Sequence, residues 1–281
     1  MNKLQQTQFE ILKEFIKVCE SLNLRYYLIC GSALGCVKYE GFIPWDDDID
    51  VALPRKDYDV FLEKAQNLLP KQYFLQNYRT DRFFHHFCSK LRDSGTTYIE
   101  DDQKNLNIHH GVFIDVIPLD VLPNDKHFKI KYRIFRICQL MHLRSPEKYK
   151  NVIKFFLKPF ANIRLANKCF EKYLKKRAAT ENIQYCNFHN SKNRHLCMPA
   201  EMYGDGANAK FEGIDVTVPA IYDAYFTAYY GNWRAELPKE QQVGHHYYKV
   251  LDLDHPYTDY IEKKSLGGRK IKLKRLTAED K

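Results

Sequence analysis

The chain has 281 residues, 44% hydrophobic and 28% charged, with a net charge of +9. That composition supports a globular core and excludes a disordered or fibrous chain, and no uncharged apolar run approaches the about 18 residues that a membrane-spanning helix needs. The charge is uneven: Lys126 to Arg177 holds sixteen Lys/Arg and two acids, Glu147 and Glu171, so a slightly acidic body carries one basic segment.

In chain order, "MNKLQQTQFEILKEF" reads as an amphipathic helix rather than a secretory signal, with Phe9, Leu12, Ile16 and Cys19 on one face. "YYLIC" (26–30) is a buried strand that ends at Gly31. "GSALGCVKYEG" (31–41) holds one short helix. "DIDVAL" (48–53) alternates as a strand, with Asp48 and Asp50 on one side and Ile49, Val51 and Leu53 on the other. Pro54 ends it, and 55–69 is a helix closed by Pro70. Short strands follow at 72–78, 86–92 and 96–100. "GVFIDVIPLD" (111–120) is a strongly apolar strand with Asp115 inside it.

The basic segment reads as helical, broken near Ser145-Pro146 and Pro159, with Ile130, Ile134, Ile137 and Met141 on one face. Residues 194–218 read as strand and loop. "PAIYDAYFTAYYG" (219–231) is a helix with Pro at its start and Gly at its end. The expected fold class is α/β (mixed α+β): a small mixed sheet flanked by helices, plus a basic helical insertion. The expected division is a core over 1–125, the insertion over 126–180, a part completing the core over 181–262, and a loose basic tail over 263–281. Eight cysteines form no CxxC pair and no zinc spacing; they read as free core thiols, which points to a reducing, cytoplasmic setting.

The chemistry concentrates in "FIPWDDDIDVAL" (42–53). Asp48 and Asp50 on one strand face cannot both stay ionised cheaply in a partly buried site. A hard divalent cation, Mg2+ or Mn2+, resolves that conflict with oxygen ligands. Asp115 inside an apolar strand needs a partner too; if its strand lies beside Asp48 and Asp50, a three-carboxylate site results. Gly31-Ser32, between a buried strand and a helix, suits phosphate oxygens. Phosphate anchor and carboxylate-bound metal together are the apparatus of phosphoryl transfer.

This ordered combination resembles the nucleotidyltransferase superfamily, and most closely its LicD family, which includes the fukutin-related proteins. The resemblance lies in "GSALGCVKYEGFIPWDDDIDVALPRKDYDVF" (31–61), "HHGVFIDVIPLD" (109–120), "FEGIDVTVPAIYDAYFTAYYGNWRAELP" (211–238) and "HH" (245–246). It implies a nucleotidyltransferase-like core. The implied activity moves an alcohol phosphate, phosphocholine in the best-known members, from a CDP-alcohol donor to a hydroxyl of a cell-surface glycan or its lipid-linked precursor. Carried onto this chain, Asp48, Asp50 and Asp115 are implied metal ligands, with Asp46 assisting. Gly31 and Ser32 anchor the diphosphate. Asp115 or Asp50 helps deprotonate the acceptor. Lys38 stands where the family usually has arginine, which keeps the charge and loses the bidentate fork.

Lys90 resembles a family lysine that could contact the donor phosphate. His245 and His246 match the family's terminal histidine pair, and Glu212 matches a family glutamate that could be structural. Trp45, Phe42 and Tyr39 offer ring faces to a choline ammonium or pack in the core. The basic amphipathic segment suits an anionic membrane surface, at the inner face where a lipid-linked acceptor would lie; a solvated face is the alternative, and no nucleic acid is expected. Two rival readings stay open: a nucleotidyltransferase that uses an NTP and releases pyrophosphate, and a catalytically silent member that binds a glycan or a membrane enzyme.

Overall fold

A computed structural model describes residues 1–141, 162–188, 197–244, 247–262 and 270–274. The first half runs α1 (Lys3–Ser21), β1 (Tyr27–Leu28), α2 (Cys30–Tyr39), β2 (Asp50–Pro54), α3 (Arg55–Leu68), β3 (Tyr73–Gln76), β4 (Ser89–Asp93), β5 (Thr97–Glu100) and β6 (Phe113–Val121). It continues through α4 (Phe128–Leu140), α5 (Ile163–Arg177), β7 (Gln184–Cys186), β8 (Cys197–Pro199), α6 (Ala200–Tyr203), β9 (Ala207–Phe211), β10 (Ile214–Val218), α7 (Tyr222–Tyr230) and β11 (Tyr248–Asp252). The fold is mixed α/β, as the pattern of elements implies.

The main sheet has the order β1-β2-β6-β4-β3, and β7 and β8 continue it from the far end of β6. Only β2 and β6 pair in parallel in this sheet; the other neighbours are antiparallel. Strand β6 is buried from Phe113 to Asp120, which explains its near-continuous apolar sequence. Pro118 is tolerated there because β4 pairs only as far as Val116 and β7 begins at Asp120. Its missing N–H faces that gap.

Helix α1 opens on a capping box: Asn2 accepts from the Gln5 N–H and Gln5 Oε1 accepts from the Asn2 N–H, each at 2.9 Å. Its apolar face packs on β4, β6 and α3. Helix α3 buries Tyr58, Phe61 and Ala65. Helix α7 starts at Tyr222, with Ile221 as its cap, so Pro219 lies ahead of the helix rather than at its first turn.

Helices α4 and α5 form a second apolar cluster with Phe87 and Phe188. Phe135 stacks on Phe170, with ring centres 4.1 Å apart and planes at 11°. This aromatic packing turns the other face outward: Ile130, Ile134 and Ile137 are each 57–58% exposed. The expected breaks at Ser145-Pro146 and Pro159 lie outside the described residues. No helix among the described residues is long and apolar enough to cross a membrane.

Two expectations are corrected. Cys186 and Cys197 face each other on β7 and β8 and form a disulfide, so the cysteine pattern does not carry a reducing compartment. Part of the tail is also held: Ile271 is buried and donates its N–H to Asn105 at 3.0 Å, while Lys270 bridges to Leu106 and Leu273 to Ile261.

Candidate active site

The turn from β1 into α2 is sharp. Cys30 adopts a left-handed backbone, φ 52°, and its N–H is taken by the Tyr225 hydroxyl at 3.2 Å. Gly31 follows because the Asp46 carboxylate presses on it: a Cβ there would stand 2.6 Å from Asp46 Oδ2. Ser32 is buried, and its Oγ accepts the Asp50 N–H at 2.8 Å. The serine thus ties the helix start to the head of β2. Asp48 lies just ahead of that strand, which begins at Asp50.

The acidic loop is held from three sides. Gln5 Nε2 donates to the Asp46 carbonyl at 3.0 Å, and Gln8 Nε2 donates to the Asp47 carbonyl at 2.8 Å. Both glutamines are buried at 3% and 1% exposure. Glu212, itself left-handed at φ 49°, accepts the Phe42 N–H at 3.1 Å and donates its own N–H to Glu40 at 2.8 Å. Its carboxylate lies so close to Gly41 that a Cβ there would be 2.2 Å away. Glu212 therefore has a structural contact: it fixes the entry of the acidic loop. Gly244 packs against the Asp47 carboxylate. The next two residues, His245 and His246, lie outside the described residues.

Asp46, Asp47 and Asp48 each bring a carboxylate oxygen within 4.8 Å of the others. Burial, followed by the Asp48 and Asp47 charges, pushes Asp46 up to about 8. A crowded, partly desolvated set of oxygen donors is what Mg2+ or Mn2+ accepts, so the residues fit such an ion. One strand over, Asp50 and Asp115 are direct neighbours in the parallel β2–β6 register. Asp115 is 5% exposed, with Lys90 Nζ 3.4 Å from its Oδ1. Lys90 also reaches Glu100 at 3.7 Å and lies 3.2 Å from the centre of the Phe113 ring. Buried Arg92 joins Glu100 at 3.4 Å. The sheet interior thus balances Asp115 and Glu100 with two cations.

A cavity of about 760 Å3 opens on this centre. Seven sequence-predicted residues line it: Gly31, Lys38, Tyr39, Trp45, Asp46, Asp48 and Asp50. Ser32, Lys90 and Asp115 stand behind that wall. Lys38 is paired with Glu236 at 3.1 Å. Sequence reasoning missed Asp47 as a member of the cluster, the two glutamines, and Tyr230. Tyr230 lines the cavity together with Asp46, Asp48 and Asp50 and keeps 40% of its surface exposed. The glutamines left one trace: polar residues at positions 5 and 8 interrupt the buried stripe of α1.

Residues 23–169 match the family described as LicD/FKTN/FKRP, nucleotidyltransferase domain. The chain is 27% identical over 272 residues to the lipopolysaccharide cholinephosphotransferase LicD of Haemophilus influenzae, covering 88% of this chain and 96% of that protein. It is also 27% identical over 78 residues to an uncharacterized protein of Rickettsia prowazekii, covering 22% of this chain and 29% of that protein. The family match takes in more than half of the chain, including the α2 turn, the acidic loop and the Asp115 strand: this chain belongs to the LicD family.

Proposed function

We propose that the protein transfers an alcohol phosphate, phosphocholine, from a CDP-alcohol to a hydroxyl of a cell-surface glycan or its lipid-linked precursor, with release of CMP. The observation that carries this reading is one cavity lined by the first turn of α2, three aspartates and a lysine. The likeness to a cholinephosphotransferase along nearly the whole chain supports the choice of phosphocholine.

In this reading Asp46, Asp47 and Asp48 hold a divalent cation, with Asp50 and Asp115 beside them in the sheet. The cation supplies charge neutralisation to the diphosphate. The Gly31 amide in the first turn of α2 and the Lys38 ammonium receive phosphate oxygens at the cavity wall. Asp50 lines the cavity, whereas Asp115 lies outside its lining, beside Lys90. Asp50 is therefore the better placed to take the proton of the acceptor hydroxyl. The acceptor oxygen bonds to the outer phosphorus, the bond from that phosphorus to the CMP oxygen breaks, and CMP leaves with the electron pair.

The outward isoleucine stripe of α4, beside Lys129 and Arg133, supports a peripheral seat on an anionic membrane at its inner face, where a lipid-linked acceptor is within reach. Replacing Ile134 by Glu should abolish co-sedimentation with anionic vesicles. The catalytic reading is tested by resolving CMP from pyrophosphate after incubation with CDP-alcohols and NTPs: pyrophosphate from an NTP would favour the nucleotidyltransferase alternative.

A further inference from the structure

The carboxylate cavity has an aromatic wall that the phosphate chemistry does not use. Tyr39, Trp45, Tyr229, Tyr230, Trp233 and Tyr247 all line it. Rings buried for packing alone would be shielded, yet Tyr39 is 37% and Tyr230 40% exposed. Tyr39 and Trp45 meet edge to face, with ring centres 6.5 Å apart and planes at 72°, which makes a corner of two ring surfaces. Tyr229 and Tyr230 form a second pair at 4.8 Å and 50°.

The wall already carries an ammonium. Lys38 Nζ lies 5.7 Å from the centre of the Tyr39 ring and 3.1 Å from Glu236 Oε1. The Tyr39 hydroxyl donates to the other Glu236 oxygen at 3.3 Å. Glu236 lines the cavity beside these rings. Ring faces with a carboxylate at their edge favour a cationic ligand.

We propose that this aromatic wall is a quaternary-ammonium subsite, which holds the alcohol end of the donor and selects choline over polyols. The proposal rests on the phosphotransferase reading and names the part of the site that chooses the donor. A trimethylammonium group has no N–H to give to a carboxylate, so ring faces are its natural partners. A glycerol or ribitol end needs hydrogen-bond partners in place of water, and ring faces leave its hydroxyls unsatisfied. A primary ammonium loses less by staying in water or on a carboxylate.

The test uses an internal reporter, because the chain has two tryptophans and both line the cavity. Tryptophan emission of the full chain with Mg2+ is followed while CDP-choline or CDP-glycerol is added. The two donors share nucleotide and diphosphate, so their difference isolates the headgroup. CDP-choline should bind about tenfold tighter or more, as one or two cation–π contacts give. Tyr39→Leu and Tyr230→Leu should each shrink that ratio severalfold and leave CDP-glycerol affinity unchanged, whereas Tyr230→Phe should keep the ratio. Equal affinity for the two donors, or equal loss of both in the leucine variants, would overturn the proposal. If neither donor binds, the phosphotransferase reading fails on its own. The subsite is then decided by tetramethylammonium chloride against sodium chloride at matched ionic strength: a saturable response to tetramethylammonium alone supports it, and identical responses overturn it.

Discussion

Asp50 and Asp115 stand side by side, in register, on the two parallel strands of the main sheet. The Asp115 N–H donates to the Ile49 carbonyl at 2.8 Å, so the two carboxylates are fixed by backbone rather than by side-chain chance. Replacing Asp48 or Asp50, which both line the cavity, by Asn keeps shape and removes charge. Each change should lower transfer by roughly 10²-fold or more while the circular dichroism spectrum stays native. Full activity in any one variant would remove that residue from the site.

Asp46 couples the centre to pH. Its carboxyl is raised to about 8 from 3.8, first by burial and then by Asp48 and Asp47. In the metal-free protein it therefore keeps a proton through neutral pH, and a cation must displace that proton. Apparent Mg2+ or Mn2+ affinity should rise about tenfold per pH unit from 6 to 8 and level off above 8. The metal-free fold should lose stability as pH rises through that range, because the raised group is favourable only while protonated. Calorimetric titration at several pH values checks the first point; affinity independent of pH would contradict it.

Gln8 acts through the Asp47 backbone, with its amide also 3.5 Å from the Phe113 carbonyl. Gln8→Leu matches its bulk and leaves the Asp47 carbonyl without this donor. We expect about 1–3 kcal/mol of lost stability together with a higher metal concentration for half-maximal activity. A change in stability with an unaltered metal requirement would make Gln8 a fold residue only.

Lys90 is 3% exposed and serves Asp115 and Glu100 together. Lys90→Met leaves buried carboxylate charge without its nearest cation. The expected cost is about 3–5 kcal/mol in denaturant unfolding. A cost below about 1 kcal/mol, the range of a surface pair, would show that the Lys90 contacts are not a structural charge balance.

His109 and His110 are held neutral by burial, at about 3 and about 4. Their unfolded forms take up protons near the ordinary histidine value of about 6.5. Stability from this pair is therefore complete above that pH and falls as the solution is acidified below it. Thermal melts between pH 7 and pH 5 should show the drop, and replacing both residues by Gln should flatten it.

Much of the architecture was legible because punctuation and periodicity coincide. Pro54 and Pro70 bound elements where expected, and the apolar run around Asp115 did become the strand beside Asp50, whereas Gly31, expected to end the first strand, lies inside α2, which already begins at Cys30. What stayed hidden depends on long-range partners. Gln5 meets the Asp46 carbonyl across 41 positions of chain, and no local pattern encodes that bond. The Cys186–Cys197 disulfide follows from strand pairing rather than from spacing. Lys90, expected at the donor phosphate, looks from its sequence neighbours like any strand lysine; only the pairing of β4 with β6 puts it opposite Asp115. The α4 isoleucines follow helical periodicity, but the aromatic side of the helix won the interior because Phe135 meets Phe170 there.

The central claim is tested most directly by nucleotide release. The purified chain is incubated with Mg2+ or Mn2+, a glycan extract and, separately, CDP-choline, CDP-ethanolamine, CDP-ribitol, CDP-glycerol and the four NTPs. Metal-dependent CMP from CDP-choline, lost in Asp48→Asn and Asp50→Asn, is the predicted result. Pyrophosphate from an NTP, or no CMP from any CDP-alcohol, would contradict the account.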